Sequence, residues 1–296
     1  MVEASGLEGK GDNHRASTAA LAAALGLGAL LFAAMPAAAQ SQATAQIQAS
    51  QTAEPCPAGR PLLMRQARLD DLAGRIAAKT GLNVLAIGSS STRGIGASSP
   101  AYSYPALFEE DLKRTFHAKV SVTNAGVNGE TADATVSRLE ERLAAEKFDL
   151  VIWQVGTNDA VKGADEEKFR AMLERGLSAA KAAQTDIVLL DPQFFPTVKD
   201  PARYERFVKL VEKVGAENGA PVLSRYRLMK SWAERAPQEL GTMLSGDGFH
   251  MSDRGYGCLA NAMVSAVTDL VSGTPPLKDR NAPAVTASVP RALTRP

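Results

Sequence analysis

The sequence predicts an α/β protein, a three-layer α/β/α sandwich around a five-stranded parallel sheet. Two observations carry this reading. Short runs of Val, Ile and Leu alternate with longer stretches whose apolar residues recur at helical spacing. The run at residues 150–155, Leu-Val-Ile-Trp-Gln-Val, is apolar but for one residue, as suits a strand covered on both faces.

Taken in order, residues 68–79 place Leu69, Leu72, Ile76 and Ala77 on one helical face, and Gly81 ends that helix. Residues 84–87 form the first strand, which stops at Gly88 before three serines and a threonine. Residues 104–116 are helical, with Pro105 suited to the first turn. Residues 118–123 alternate around Val120 and Val122 as a second strand. Residues 131–147 gather Val136, Leu139, Leu143 and Ala144 on one helical face, and 150–155 is the third strand. A helix at 166–183 leads to a fourth strand at 187–190 and a Pro/Phe-rich loop at 191–201. A helix at 202–217, a short fifth strand at 221–223, and helical pieces at 226–236 and 253–271 complete the chain.

Not all of the 296 residues belong to that sandwich. Residues 16–39 carry no charge, have a Leu-rich centre, and close in Pro36-Ala-Ala-Ala-Gln40, which reads as a secretory signal cleaved after Ala39. Its long preamble is more acidic than basic, and its length would also allow an uncleaved membrane anchor. Residues 40–55 read as a flexible linker and 273–296, with five prolines, as a disordered tail. The domain is then 56–272, a size that supports one α/β core. Removing 1–39 moves the net charge only from +1 to +2, and no Lys/Arg cluster suggests nucleic acid. The two cysteines, Cys56 and Cys258, have no metal-site spacing. In an exported protein they could form one disulfide; the alternative is a buried Cys258 and a free Cys56.

Chemistry collects at the carboxyl edge of a parallel sheet. Three loops follow strands there: Gly88-Ser-Ser-Ser91, Asn124-Ala-Gly-Val-Asn-Gly-Glu-Thr131 and Gly156-Thr-Asn-Asp159. A fourth segment, Asp247-Gly-Phe-His250, comes near the end. Of three histidines, His14 falls in the leader and His117 precedes strand two, at the opposite edge. His250 is therefore the candidate general base for a serine, with Asp247 placed to orient it. Each piece has a plainer reading: Asn124, Asn128 and Asn158 as turn residues, Gly126 and Gly129 as relief of backbone strain, Trp153 as core. Phe194 and Phe195 are either packed aromatics or the lining of an acyl pocket.

In this order, the four segments resemble the four blocks of the SGNH (GDSL) hydrolase superfamily, closest to compact bacterial thioesterase/lysophospholipase/arylesterase-type enzymes. The resemblance implies a flavodoxin-like sheet of order 2-1-3-4-5. It implies Ser90 as nucleophile, Asp247 and His250 as its triad partners, and Ser90, Gly129 and Asn158 as oxyanion-hole donors. Ser89 stands where the family usually has Asp, Ser91 where it often has Leu, and Met251 where Pro is common; Ser252 can cap the last helix instead. The implied reaction is hydrolysis of a carboxylic ester through an acyl-enzyme, with no metal or organic cofactor. The expected partner is a small-molecule, glycan or lipid ester met by an exported, periplasmic or secreted monomer. No nucleic acid is expected, and no membrane span after cleavage.

Two other readings compete. A nucleotide-binding protein would use the Gly/Ser-rich stretch after strand one, but Arg93 stands where a P-loop needs glycine. Gly94-Ile-Gly96 also lacks the third glycine of a dinucleotide fingerprint. A catalytically dead, glycan-binding relative would not need Ser90, Asp247 and His250 together.

Overall fold

The computed structural model describes residues 56–57 and 69–273. The expected leader, the whole expected linker and the expected tail beyond Gly273 lie outside the described residues. Strands β1 (Leu82–Gly88), β2 (Val120–Gly126), β3 (Leu150–Gln154), β4 (Asp186–Leu190) and β5 (Val222–Leu223) form one sheet. Every pairing is parallel, as the strand–helix alternation predicted, and the order is β2-β1-β3-β4-β5, as the family resemblance implied.

Successive side chains of a strand face opposite ways, and here each direction is a core. β1 sends Val84 and Ala86 to one side and Leu85 and Ile87 to the other. β3 divides Leu150 and Ile152 from Val151 and Trp153, and β4 divides Val188 and Leu190 from Ile187 and Leu189. Both faces being dry is why these strands read as unbroken apolar runs.

One core is covered by α1 (Asp70–Ala77), α3 (Tyr104–Phe116), α8 (Arg225–Arg235), α9 (Pro237–Met243) and α10 (Asp253–Ser272). The other is covered by α4 (Ala132–Ala145), α6 (Glu166–Ala182) and α7 (Pro201–Asn218). Fully buried side chains such as Phe108, Leu85 and Phe207 each contribute about 1.5–3 kcal/mol. Two short helices, α2 (Ser90–Arg93) and α5 (Thr157–Lys162), occupy the loops after β1 and β3.

β2 begins and ends later than its apolar pattern suggested. As an edge strand it is half exposed, and parallel pairing with β1 carries it on to Gly88↔Gly126 through polar Thr123 and Asn124. Ser252 caps α10 by accepting the Gly255 N–H, and Met251 is fully buried. Cys56 and Cys258 are bonded to each other, Cα–Cα 5.4 Å, which ties the start of the domain to α10. No described helix is long and apolar enough to cross a membrane.

Candidate active site

The parallel register delivers the chain ends of β1, β2 and β3 to one edge, with Gly88 opposite Gly126. Ser90 is the first residue of α2, so its N–H has no intrahelical partner to serve. The turn before it is held by Gln154, whose Oε1 accepts the Ser89 N–H and the Ser89 hydroxyl, each at 2.9 Å, and the Thr92 hydroxyl at 3.3 Å. A backbone N–H can only donate, which fixes the amide oxygen on this side. Ser89 thus meets a neutral acceptor in this turn.

β2 holds α2 from the other flank. Asn124 Nδ2 donates to the Thr92 carbonyl at 2.8 Å, while its Oδ1 accepts the Gly126 N–H at 3.0 Å. A Cβ on Gly126 would run into the backbone of Thr92 and Arg93, so only glycine allows this approach. Asn124 is therefore a residue of β2 that anchors the serine helix and holds the strand's last N–H.

Residues 244–251 form the fourth arm, closed by an antiparallel bridge between Leu244 and Met251. Asp247 Oδ1 accepts the N–H groups of Phe249 (2.9 Å) and His250 (2.8 Å) and the Ser245 hydroxyl (2.8 Å). Its other oxygen lies 2.6 Å from His250 Nδ1, and His250 Nε2 lies 2.9 Å from Ser90 Oγ. Partial burial pushes the Asp247 carboxyl up, but the imidazole and the other donors outweigh it and hold the group well below the usual carboxylate range. The arm is docked on the loop after α2. Gly96 has φ +94, and a Cβ there would strike the Met251 carbonyl and His250. Tyr256 donates to the Ile95 carbonyl at 2.7 Å, and Ser98 donates to Asp253 through its N–H and its hydroxyl. His117 sits apart, exposed at the end of α3 ahead of β2.

Asn158 lies in α5 and donates through Nδ2 to the Glu130 carbonyl at 2.8 Å, joining the loops after β2 and β3. An amide NH2 has two hydrogens, so one remains for a ligand. Glu130 is ion-paired with Arg138, which also donates to the Ala125 carbonyl at 3.0 Å. Gly129 has φ +74, and its carbonyl accepts from Lys162 at 2.6 Å. Asp159 accepts the Ala132 N–H at 2.9 Å; burial pushes its carboxyl up to about 6, against the pull of backbone N–H groups and Lys162.

Phe195 is buried, edge-on to Tyr204 and Phe249 at centroid distances of 5.4 and 4.8 Å. It lines a cavity of about 390 Å³ together with Val161, Val198, Tyr204 and Phe249. Phe194 is edge-on to Tyr226 at 5.6 Å and is not part of that lining. Trp153 is fully buried in β3. Among the described residues no cluster of His, Cys, Asp or Glu has the makings of a metal site.

Two site residues escaped the sequence reading. Gln154 had a signal, being the single polar residue in the apolar run of β3. Gln193 had none; it lies in the loop after β4 and is fully buried between the arms.

The sheet order and the Asp247–His250–Ser90 contacts on one edge define a protein of the SGNH (GDSL) hydrolase class. Within it, the chain belongs to the Non-GDSL lipase-like family, which it matches over residues 55–273. It is similar to thioesterase 1/protease 1/lysophospholipase L1 of Escherichia coli K12, 28% identical over 145 residues. That match covers 47% of this chain and 64% of the relative's length. A lipase/acylhydrolase from Enterococcus faecalis is similar in structure, with 26% identity and a TM-score of 0.55, over 63% of this chain and 95% of that one. A two-domain esterase active on acetylated mannans shares the fold at 23% identity and a TM-score of 0.60, over 75% of this chain and 58% of that one.

Proposed function

We propose that this protein is a serine ester hydrolase that cleaves carboxylic esters through an acyl-enzyme. The observation that carries the reading is the line Asp247 Oδ2–His250 Nδ1–His250 Nε2–Ser90 Oγ, with contacts of 2.6 and 2.9 Å. Ser90 Oγ attacks the ester carbonyl and His250 takes its proton, while Asp247 keeps the ring oriented and stabilises its charged form. Backbone N–H groups of Ser90 and Gly129 and the spare Asn158 N–H receive the oxyanion. His250 then returns the proton to the departing alcohol, and water, activated by the same ring, hydrolyses the acyl-enzyme.

The substrate is a short acyl ester, a lysophospholipid or an O-acetylated glycan. Phe195 stands at the acyl pocket, a role that the 390 Å³ cavity beside Phe249 supports. That volume is at the small end of ligand pockets, roughly 300–1,000 Å³, and favours a short acyl group. The likeness to a thioesterase/lysophospholipase and to an acylhydrolase supports the same reaction class. The protein is exported after cleavage at Ala39, so mature material from the native envelope begins near Gln40; an intact leader on a membrane-embedded product would replace export with anchoring.

The test is a fluorophosphonate probe with peptide mapping, joined to a panel of chromogenic esters of increasing acyl length. Ser90 alone should be labelled. His250→Ala should abolish labelling and turnover, and His117→Ala should preserve both. Ester turnover with no labelled serine would overturn the serine mechanism.

A further inference from the structure

Gln193 touches the chain neighbours of three site residues with three different groups, and Tyr204 with a fourth. Its Nε2 donates to the Phe249 carbonyl at 2.6 Å, next to His250. Its Oε1 accepts the Ser91 hydroxyl at 3.0 Å, next to Ser90. Its backbone N–H donates to Thr157 Oγ1 at 3.4 Å, next to Asn158, and its carbonyl accepts from Tyr204 at 2.8 Å. The side chain is fully buried. A carbonyl can only accept, so the Phe249 contact sets which way the amide faces and leaves its oxygen for Ser91.

We propose that Gln193 is a positioning residue that fixes the distance between the Ser90 helix and the His250 arm; the inference rests on the serine-esterase reading. The Phe249 carbonyl and the His250 N–H belong to one rigid peptide unit. Asp247 Oδ1 grips that unit by its N–H at 2.8 Å, and Gln193 grips it by its carbonyl. The imidazole is thereby held from both sides of its own backbone. The other end of the same amide holds Ser91, so Ser90 and His250 are referenced to a single side chain. This also gives Ser91 a use for its hydroxyl that a leucine there could not supply. Losing the amide takes the donor from the part-buried Phe249 carbonyl and the Gln193 acceptor from the buried Ser91 hydroxyl, and the two arms lose their common tie. Reacting groups displaced by about 1 Å can lose roughly a hundredfold in rate.

The experiment compares Gln193→Leu, Gln193→Glu and Ser91→Ala on a chromogenic ester, with active sites counted by fluorophosphonate titration. Per titrated site, Gln193→Leu should lower kcat by roughly thirtyfold to a hundredfold and change KM by less than about threefold. Gln193→Glu, which keeps an acceptor for Ser91 but has no donor for Phe249 when ionised, should lose nearly as much. Ser91→Ala should cost about tenfold alone and nothing further on top of Gln193→Leu, because the two share one contact. A purely structural role would lower Tm and leave kcat per site within about twofold, which would overturn the proposal. So would a rise in KM with kcat unchanged. Where Gln193→Leu fails to fold, Gln193→Met, of similar length but with no N–H donor for Phe249, decides: wild-type kcat overturns the proposal, and the expected loss supports it. Failure of wild-type protein to label at Ser90 would instead overturn the serine mechanism on which the inference stands.

Discussion

Ser89 gives both of its donors to one atom, the Oε1 of Gln154, each at 2.9 Å. This relationship separates the three adjacent hydroxyls. Ser89→Ala removes one donor and keeps the N–H that holds the turn, so it should cost kcat about tenfold or less. Ser90→Ala removes the proposed attacking atom and should lower kcat at least roughly a thousandfold with the fold retained. Steady-state kinetics on the folded variants, with circular dichroism as the fold check, measures both. A Ser89→Ala loss as deep as that of Ser90→Ala would move the nucleophile by one position.

The contrast between Gln154 and Gln193 shows what a sequence can and cannot disclose. The sheet was legible because burial on both faces leaves nearly continuous apolar runs, and β3 reads that way from Leu150 to Trp153. Ser90, Asp247 and His250 were legible because their loops fall in a recognisable order. The short helices α2 and α5 were not, since one turn of helix has no periodicity to detect. Helix α9 begins at Pro237, directly after α8, where proline reads as a helix end; here it occupies the first turn. Gln193 acts through contacts 56 and 102 residues away, and no local pattern records such pairings.

Asp191 makes folding pH-dependent. It is fully buried at the end of β4; burial pushes its carboxyl from 3.8 up to about 7, although Ser224, the Tyr226 N–H and Arg225 all favour the charged form. Between about pH 4 and 7 the folded protein keeps a proton that the unfolded chain has released. Its contribution therefore makes stability fall as pH rises across that window. Asp247 works in the opposite sense and lower down: its depressed value makes stability fall as the solution is acidified below the ordinary carboxylate range. Urea unfolding at pH 5, 6 and 7 should show a shallower pH slope for Asp191→Asn than for wild type. An unchanged slope would mean Asp191 is ionised throughout.

The Cys56–Cys258 bond spans a sequence separation of 202 residues. Chain-entropy reasoning gives about 5 kcal/mol for so long a loop, an upper bound because denatured chains are not ideal coils. Reduction, or Cys56→Ala with Cys258→Ala, should lower Tm without changing which serine the probe labels. Peptide mapping under non-reducing conditions should recover the two cysteines in one cross-linked species. Two alkylated thiols in native material would remove this contribution.

The proposed mechanism gives Asn158 two duties, and they can be separated. One Nδ2 hydrogen goes to the Glu130 carbonyl at 2.8 Å; the other is assigned to the oxyanion. Removing one oxyanion donor typically costs 10²–10³-fold in kcat, about 3–4 kcal/mol, with little effect on substrate binding. Asn158→Ala should show that loss with KM nearly unchanged. Asn158→Asp keeps the size but has no donor, sets a carboxylate against the Glu130 carbonyl, and repels the developing negative charge. It should be worse than alanine. Arg138→Met tests the anchoring duty alone, since it frees Glu130 from its ion pair and the Ala125 carbonyl from its donor while sparing the Asn158 amide. Its kcat should fall less than about tenfold. If Arg138→Met matches Asn158→Ala, the asparagine serves only to hold the loop; if Asn158→Asp retains wild-type turnover, the oxyanion is bound elsewhere.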